Sequence, residues 1–297
     1  MDKEKFFYFI YFILNFQSYL IEIIYCLNSI IRISFKFHIF QLLSSILSLL
    51  ILYITRNRPG YIYKIENLEK KVVKNETRLN KETSPIINFN LNPNNGCKIC
   101  EIDNLPLRSQ HCIKCGKCIR GFDHHLWILA GCVGENNRFK FILFLLFENL
   151  SICLSLYGIV TIMNNQGNEG MTYFLTLLFS FICLIGIFFF WIFIYHIYLL
   201  ITNQTTYEIF NEEKCPYLSK FNVERTKILA QRGIILNNPK LRPFDTGFIN
   251  NIFLYFKKMF NSETEINWED IYFENLKSMK VNLNFVDKLR QSRKDTN

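Results

Sequence analysis

The stretch CKICEIDNLPLRSQHCIKCGKCIRGFDHHLWILAGC, residues 97–132, reads Cys-x2-Cys-x10-His-Cys-x2-Cys-x2-Cys-x4-Asp-His-His-Leu-x5-Cys. It gathers six of the chain's ten cysteines and three of its five histidines into 36 residues, far too dense for core filler. A Cys-x2-Cys pair lets two sulfurs reach one ion from a single tight turn, so the spacing points to metal. The segment reads as two zinc sites.

Around this polar segment the chain is strongly apolar. Half of its 297 residues are hydrophobic, concentrated in blocks at Phe6 to Leu27, Phe37 to Thr55, Phe139 to Met163 and Tyr173 to Ile201. Each block runs near or beyond the ~20 residues that a helix needs to cross hydrocarbon. The first is interrupted by Asn15, Gln17 and Glu22. It competes with a signal peptide, but Ser18 to Glu22 holds no small-residue cleavage site, so a retained helix is expected. The expected fold is an all-α membrane protein: four transmembrane helices, with a small zinc-stapled cytosolic domain between helices 2 and 3.

Flanking charge sets the expected orientation. Arg56, Arg58, Lys64, Lys70, Lys71, Lys74, Arg78 and Lys81 follow the second block, whereas Asn164 to Gly170 has no lysine or arginine. The positive-inside rule then puts the cysteine-rich segment and both termini in the cytosol, with Arg32 and Lys36 counting mildly against it. Cytosolic thiols stay reduced, which favours metal over a disulfide framework. The net charge of +9 fits basic residues beside membrane spans meeting anionic headgroups; nucleic acid is not an expected partner.

Asp123-His124-His125, the Cys/His spacing around it, and Thr205-Thr206-Tyr207-Glu208 after the last apolar block together resemble the DHHC family of membrane protein S-acyltransferases. The resemblance covers roughly Phe6 to Phe256. It implies that Cys97, Cys100, His111 and Cys118 hold one structural zinc, and that Cys112, Cys115, His125 and Cys132 hold the other. Spacing alone allows other pairings. Eight ligands make two closed Cys3His sites, which have no open position for catalysis. A RING-type ubiquitin ligase also crosses two zincs, but its pattern ends in a further Cys-x2-Cys pair, and none follows Cys132.

The resemblance also implies an activity: a cysteine thiolate takes the palmitoyl group of palmitoyl-CoA and passes it to a cysteine of a membrane-associated client. His124 matches the family's base and Asp123 its orienting carboxylate. Leu126 stands where the family has its nucleophilic cysteine, and a leucine forms no thioester. An ungapped alignment sets Trp127 against the usual proline and Ile128 against the usual tryptophan. Alternatively the cysteine is lost and one residue gained before Cys132, which lets Trp127 match the tryptophan. Either way no thiol adjoins His124. Asp123 also admits a plainer reading, as a carboxylate supporting a zinc-bound histidine. Two functions remain open: a protein S-palmitoyltransferase, or a catalytically silent scaffold that binds acyl-CoA or clients.

The expected organisation is helices 1 and 2 over 1–55, a cytosolic linker over 56–95, the zinc domain over 96–138, helices 3 and 4 over 139–202, and a cytosolic tail over 203–297. In that tail Thr205, Thr206 and Glu208 match the family's Thr-Thr-x-Glu motif. Asn251, after Pro243-Phe244-Asp245-Thr246-Gly247, matches an asparagine that supports the fold. Ile252, Phe253, Phe256 and Phe260 recur at helical spacing beside Lys257 and Lys258, as in an amphipathic helix lying on the cytosolic leaflet or packed on its own domain. His38 and His196 read as helix-interface residues. The expected location is a Golgi, endoplasmic reticulum or plasma membrane.

Overall fold

The structure, a computed structural model, describes residues 9, 35–56, 59–63, 96–127, 129–165, 169–230, 242–261 and 265–278. All of the expected span Phe6 to Leu27 except Phe9, nearly all of the linker, Cys26 and the end of the tail lie outside the described residues. The chain divides into two compact units. One lies within Met1–Gly60, Asp123–Asn203 and Gly247–Thr264; the other within Tyr61–Phe122, Gln204–Thr246 and Glu265–Asn297.

The first unit is built on three long helices, α1 (Phe35–Arg56), α2 (Arg138–Asn165) and α3 (Glu169–Ile201). Stretches of 20, 27 and 33 residues within them are long and apolar enough to cross a membrane. At 1.5 Å per residue even the shortest spans about 30 Å, the thickness of the hydrocarbon core. α2 packs against both of the others. Leu52, Leu129, Val133, Phe141, Phe144, Leu145 and Phe189 form an apolar cluster, and Ile159, Ile162 and Leu175 form another.

A polar ladder joins α1 to α2. Gln41 donates to Ser155 at 3.0 Å, Ser45 and Ser151 share a 2.7 Å bond, and Ser48 donates to the Glu148 carboxylate at 2.6 Å. The donors climb one helix face as the acceptors descend the other, so the two helices run antiparallel. Such bonds hold helices together where lipid offers no hydrophobic drive. Ser48→Ala and Glu148→Ala should therefore each cost on the order of 1 kcal/mol, with the double variant costing less than the sum. A double-mutant cycle of unfolding in detergent micelles checks this; strict additivity would remove the bond from the account.

A short hairpin, β4 (His124–Leu126) against β5 (Gly131–Val133), leads into α2, with His125 opposite Cys132 and Leu126 opposite Gly131. Asn137 fixes this corner, donating to the carbonyls of Thr55 and Cys132 and accepting from Gly134 N–H. The Thr55 carbonyl lies in the last turn of α1, where helix carbonyls have no partner within the helix.

The second unit carries an antiparallel sheet in the order β1 (Tyr61–Ile62), β3 (Lys117–Ile119), β2 (Gln110–Cys112). Gly116, at φ +63°, makes the turn between β2 and β3 in a backbone region where a side chain is strained. Helix α4 (Thr206–Phe210), a 3-10 turn (Glu212–Lys214), α5 (Pro216–Ala230) and a helix over 268–278, here α7, complete the unit. The core is aromatic: Phe244 packs edge-on against Tyr217 and Trp268, and Phe221 against Tyr272. The protein is mostly helical, and these short ladders are what an all-helical expectation lacked.

Helix α6 (Phe248–Phe260) belongs to the first unit and has inverted polarity. Its buried face is polar. Asn251 donates to the Ile201 carbonyl at the end of α3, Tyr255 donates to Asn203, and Lys258 pairs with Glu135 at 2.9 Å. Phe248, Ile249, Phe253 and Phe260 are exposed instead.

Candidate functional site

Four donors expected to bind one zinc converge in the second unit. Cys97 and Cys100 sit on a turn closed by a Cys97–Ile102 bridge, and His111 faces Cys118 across the β2–β3 ladder. His111 Nδ1 lies 3.5 Å from Cys97 Sγ, 3.3 Å from Cys100 Sγ and 3.7 Å from Cys118 Sγ. Tetrahedral zinc, with bonds of about 2.3 Å to sulfur and 2.0–2.1 Å to nitrogen, separates the two atom types by about 3.6 Å. The donor set fits zinc. Cys100 N–H also points at Cys97 Sγ, 3.4 Å away, which stabilises a thiolate there.

Cys112, Cys115, His125 and Cys132 are a second group of metal-ligating composition. Cys112 and Cys115 flank the β2–β3 turn. In the first unit, His125 Nδ1 and Cys132 Sγ face each other at 3.4 Å across the β4–β5 ladder, again a zinc-like separation. Both groups are consistent with structural zinc.

The Asp-His-His stretch opens the hairpin of the first unit. Asp123 is 1% exposed, and its N–H is held by the Val133 carbonyl at 3.0 Å. Its Oδ2 lies 3.5 Å from His124 Nδ1. Burial alone would raise the Asp123 carboxyl. The adjoining His124 imidazole and the Arg138 guanidinium outweigh it and hold the group well below the usual carboxylate range. Asp123 is an anion at neutral pH, suited to orienting an imidazole.

Sequence reasoning placed His196 at a helix interface; in the structure it also faces Asp123. Its Nδ1 lies 3.7 Å from Asp123 Oδ2, and its ring is 5.3 Å from that of His124. Both rings meet Phe141 edge-on. No spacing rule links residues 124 and 196, which come together only because α3 returns to the hairpin. His38 is not part of this group.

Leu126 packs against the apolar cluster of Leu52, Leu129, Val133 and Phe144. Among the described thiols outside the first zinc group and the β2–β3 turn, Cys132 faces His125, Cys153 and Cys183 lie within α2 and α3, and buried Cys215 has its thiol pushed up to about 11, chiefly by burial.

In the tail, Thr205 and Glu208 form a capping box at the start of α4: each side chain accepts the other's backbone N–H. Glu208 also takes a two-pronged bond from Arg108, Nε to Oε1 and Nη2 to Oε2, both 2.8 Å. Tyr217 O–H donates to the same carboxylate at 3.0 Å. Arg108 sits between the rings of Phe244 and Trp268, 4.3 and 4.4 Å from their centres. Glu208 thereby ties the tail helix to the zinc-bearing segment. Arg108 had no motif to announce it.

Three helices long and apolar enough to cross a membrane, together with Cys/His clusters that fit structural zinc, suggest a membrane protein with metal-binding clusters. Within that class, residues 90–213 match the model of the DHHC palmitoyltransferase family. The chain is 34% identical over 169 residues to "Putative ZDHHC-type palmitoyltransferase 7" of Dictyostelium discoideum, covering 54% of this chain and 34% of the relative. It is 32% identical over 126 residues to Protein S-acyltransferase 10 of Arabidopsis thaliana, covering 41% and 36%. It is 41% identical over 64 residues to Palmitoyltransferase ZDHHC17 of Danio rerio, covering 22% and 10%. The chain thus spans about a third or less of each of these relatives. The matches support the DHHC palmitoyltransferase domain family for this region.

Proposed function

We propose that the chain acts in protein S-acylation at the cytosolic face of a multi-pass membrane, with palmitoyl-CoA as donor and cysteines of membrane-associated clients as acceptors. The two Cys3His groups hold structural zinc. Thr205, Thr206, Glu208 and Asn251 hold the tail in place. The exposed apolar face of α6 suits contact with lipid. Both termini lie in the cytosol, in an endomembrane or plasma-membrane setting.

The observation that carries this reading is the buried Asp123 anion beside His124, next to an apolar cluster between spanning helices. Asp123 steadies a proton on His124 Nδ1, leaving the other ring nitrogen as the base. With Leu126 at the next-but-one position, the thiol that loses its proton is the client's own. The client thiolate attacks the thioester carbonyl of palmitoyl-CoA, the CoA thiolate leaves, and His124 returns the proton to it. The net exchange converts acyl-CoA and client thiol to acylated client and CoA thiol, with no acyl-enzyme.

A second reading, in which the protein binds acyl-CoA or clients without transfer, rests on the residue type at position 126 alone. One experiment separates the two. Purified protein is incubated with palmitoyl-CoA and a lipid-anchored peptide bearing a single cysteine, and both are read by intact mass. Direct transfer predicts an acylated peptide, no hydroxylamine-sensitive acyl group on the protein, and a loss of about 10²–10⁴-fold in His124→Ala. An unmodified peptide, with self-acylation appearing only in Leu126→Cys, establishes the silent reading. A thioester mapped to another cysteine of the Leu126 protein overturns both.

A further inference from the structure

The geometry points to a third metal site, formed by Asp123, His124 and His196, that binds a divalent transition ion of the zinc class and leaves one coordination position open. The three donor atoms face one another. Asp123 Oδ2 is 3.5 Å from His124 Nδ1 and 3.7 Å from His196 Nδ1, and each residue's ligand atom lies within 4.8 Å of the others. Two ligands on a tetrahedral zinc, bonded at about 2.0–2.2 Å, stand about 3.4 Å apart. These separations suit ligands around one ion better than direct hydrogen bonds, which close to about 2.7–3.2 Å.

Burial supplies a second, independent argument. His196 is 4% exposed, and its Nδ1 has no hydrogen-bond partner among the described residues, while His124 Nδ1 stands at the outer edge of hydrogen-bond reach, 3.5 Å from Asp123 Oδ2. A buried nitrogen left in that state is costly, and a cation shared with Asp123 and His124 would satisfy it. Two imidazoles and one carboxylate are also the donor set of open zinc sites, whose fourth position takes water or an exogenous ligand. His124, whose side chain is 22% exposed, marks the side from which such a ligand would enter.

Charge ranks the site. It offers a single anion, partly offset by Arg138, whereas each Cys3His group offers three thiolates. The third ion is therefore the most weakly held. A metal on His124 Nδ1 and the proton that Asp123 steadies there exclude each other, so zinc occupancy and general-base action by His124 are alternative states of one site. The inference goes beyond the acyl-transfer reading and is tested without any acyl donor, so its failure leaves that reading standing.

The test uses the full chain in detergent micelles, dialysed against Zn²⁺ and assayed for zinc per chain. Saturation is expected at three ions, one for each Cys/His/Asp group, with one removed first by a mild chelator. His196→Ala and Asp123→Asn should each hold two. Replacing zinc with Co²⁺ reads the fold in parallel: the two thiolate-bound ions keep their sulfur charge-transfer absorption in both variants, whereas the third ion adds none. If His196→Ala also loses thiolate-bound metal, His196→Gln, closer in volume, decides by the same count. Saturation of the unsubstituted protein at two ions, or a third ion that persists without His196, overturns the site.

Discussion

Stripping the Cys3His zinc from the second unit should unfold its hairpin, and Cys97→Ala should do the same while removing one tightly held ion. The apolar support there is slight: Cys97, Leu105 and Cys118 are buried, with Ile62, Cys100 and Ile102 packed at their edge. Structural zinc in finger peptides contributes about 10–16 kcal/mol at neutral pH, as much as the whole stability of many domains. Burying three or four side chains, at about 1.5–3 kcal/mol each, falls short of most of that range. Hydrogen exchange is expected to rise sharply over 97–119 after chelation, while α2 and α3 keep their protection. Cys112→Ala should likewise cost one tightly held ion. Unchanged protection over 97–119, with zinc loss verified by elemental analysis, would refute a folding role for the metal.

The second large effect is expected at Arg108 and Glu208. Their side chains are 1% and 4% exposed and meet in a two-pronged bond, so removing one partner strands the other's charge in the interior. That typically costs about 3–5 kcal/mol. Glu208→Ala should reach this range, because it also removes the acceptor of Tyr217 O–H and the Thr205 N–H cap. Arg108→Ala adds the loss of two aromatic faces against the guanidinium. Replacing the pair together, as Arg108→Met with Glu208→Leu, should cost much less than the two single variants combined, since no buried charge remains unpaired. Denaturant unfolding of the purified protein gives all three numbers. Single-variant losses below about 1 kcal/mol, the range of exposed ion pairs, would contradict the buried pairing.

Helix α6 shows how far periodicity reaches. The spacing of Phe253, Phe256 and Phe260 announced an amphipathic helix but left open which face would be covered. In the structure the polar face is covered, because Asn251, Tyr255 and Lys258 meet a helix-end carbonyl, an asparagine and the Glu135 carboxylate. Those partners come from residues 135, 201 and 203, distant in sequence, and a pattern of apolar residues carries no record of them.

Composition, short-range spacing and the family resemblance those motifs carry made the membrane and metal-binding character of this chain legible in its sequence. Apolar blocks of spanning length, Cys-x2-Cys pairs and the Asp-His-His stretch are local features, set by helix rise and by the reach of one tight turn. The described spans α1, α2 and α3 fall where the blocks lie, and the first zinc group gathers the ligands expected of it. Only the tertiary structure decided which distant groups share a charge or a cavity. His196 reaches Asp123 because α3 returns to the β4–β5 hairpin, and Arg108 reaches Glu208 across a hundred positions of chain. The reason is physical: a buried carboxylate must find its partners in whatever the fold brings within about 4 Å, and that proximity is a property of packing, which no linear spacing encodes.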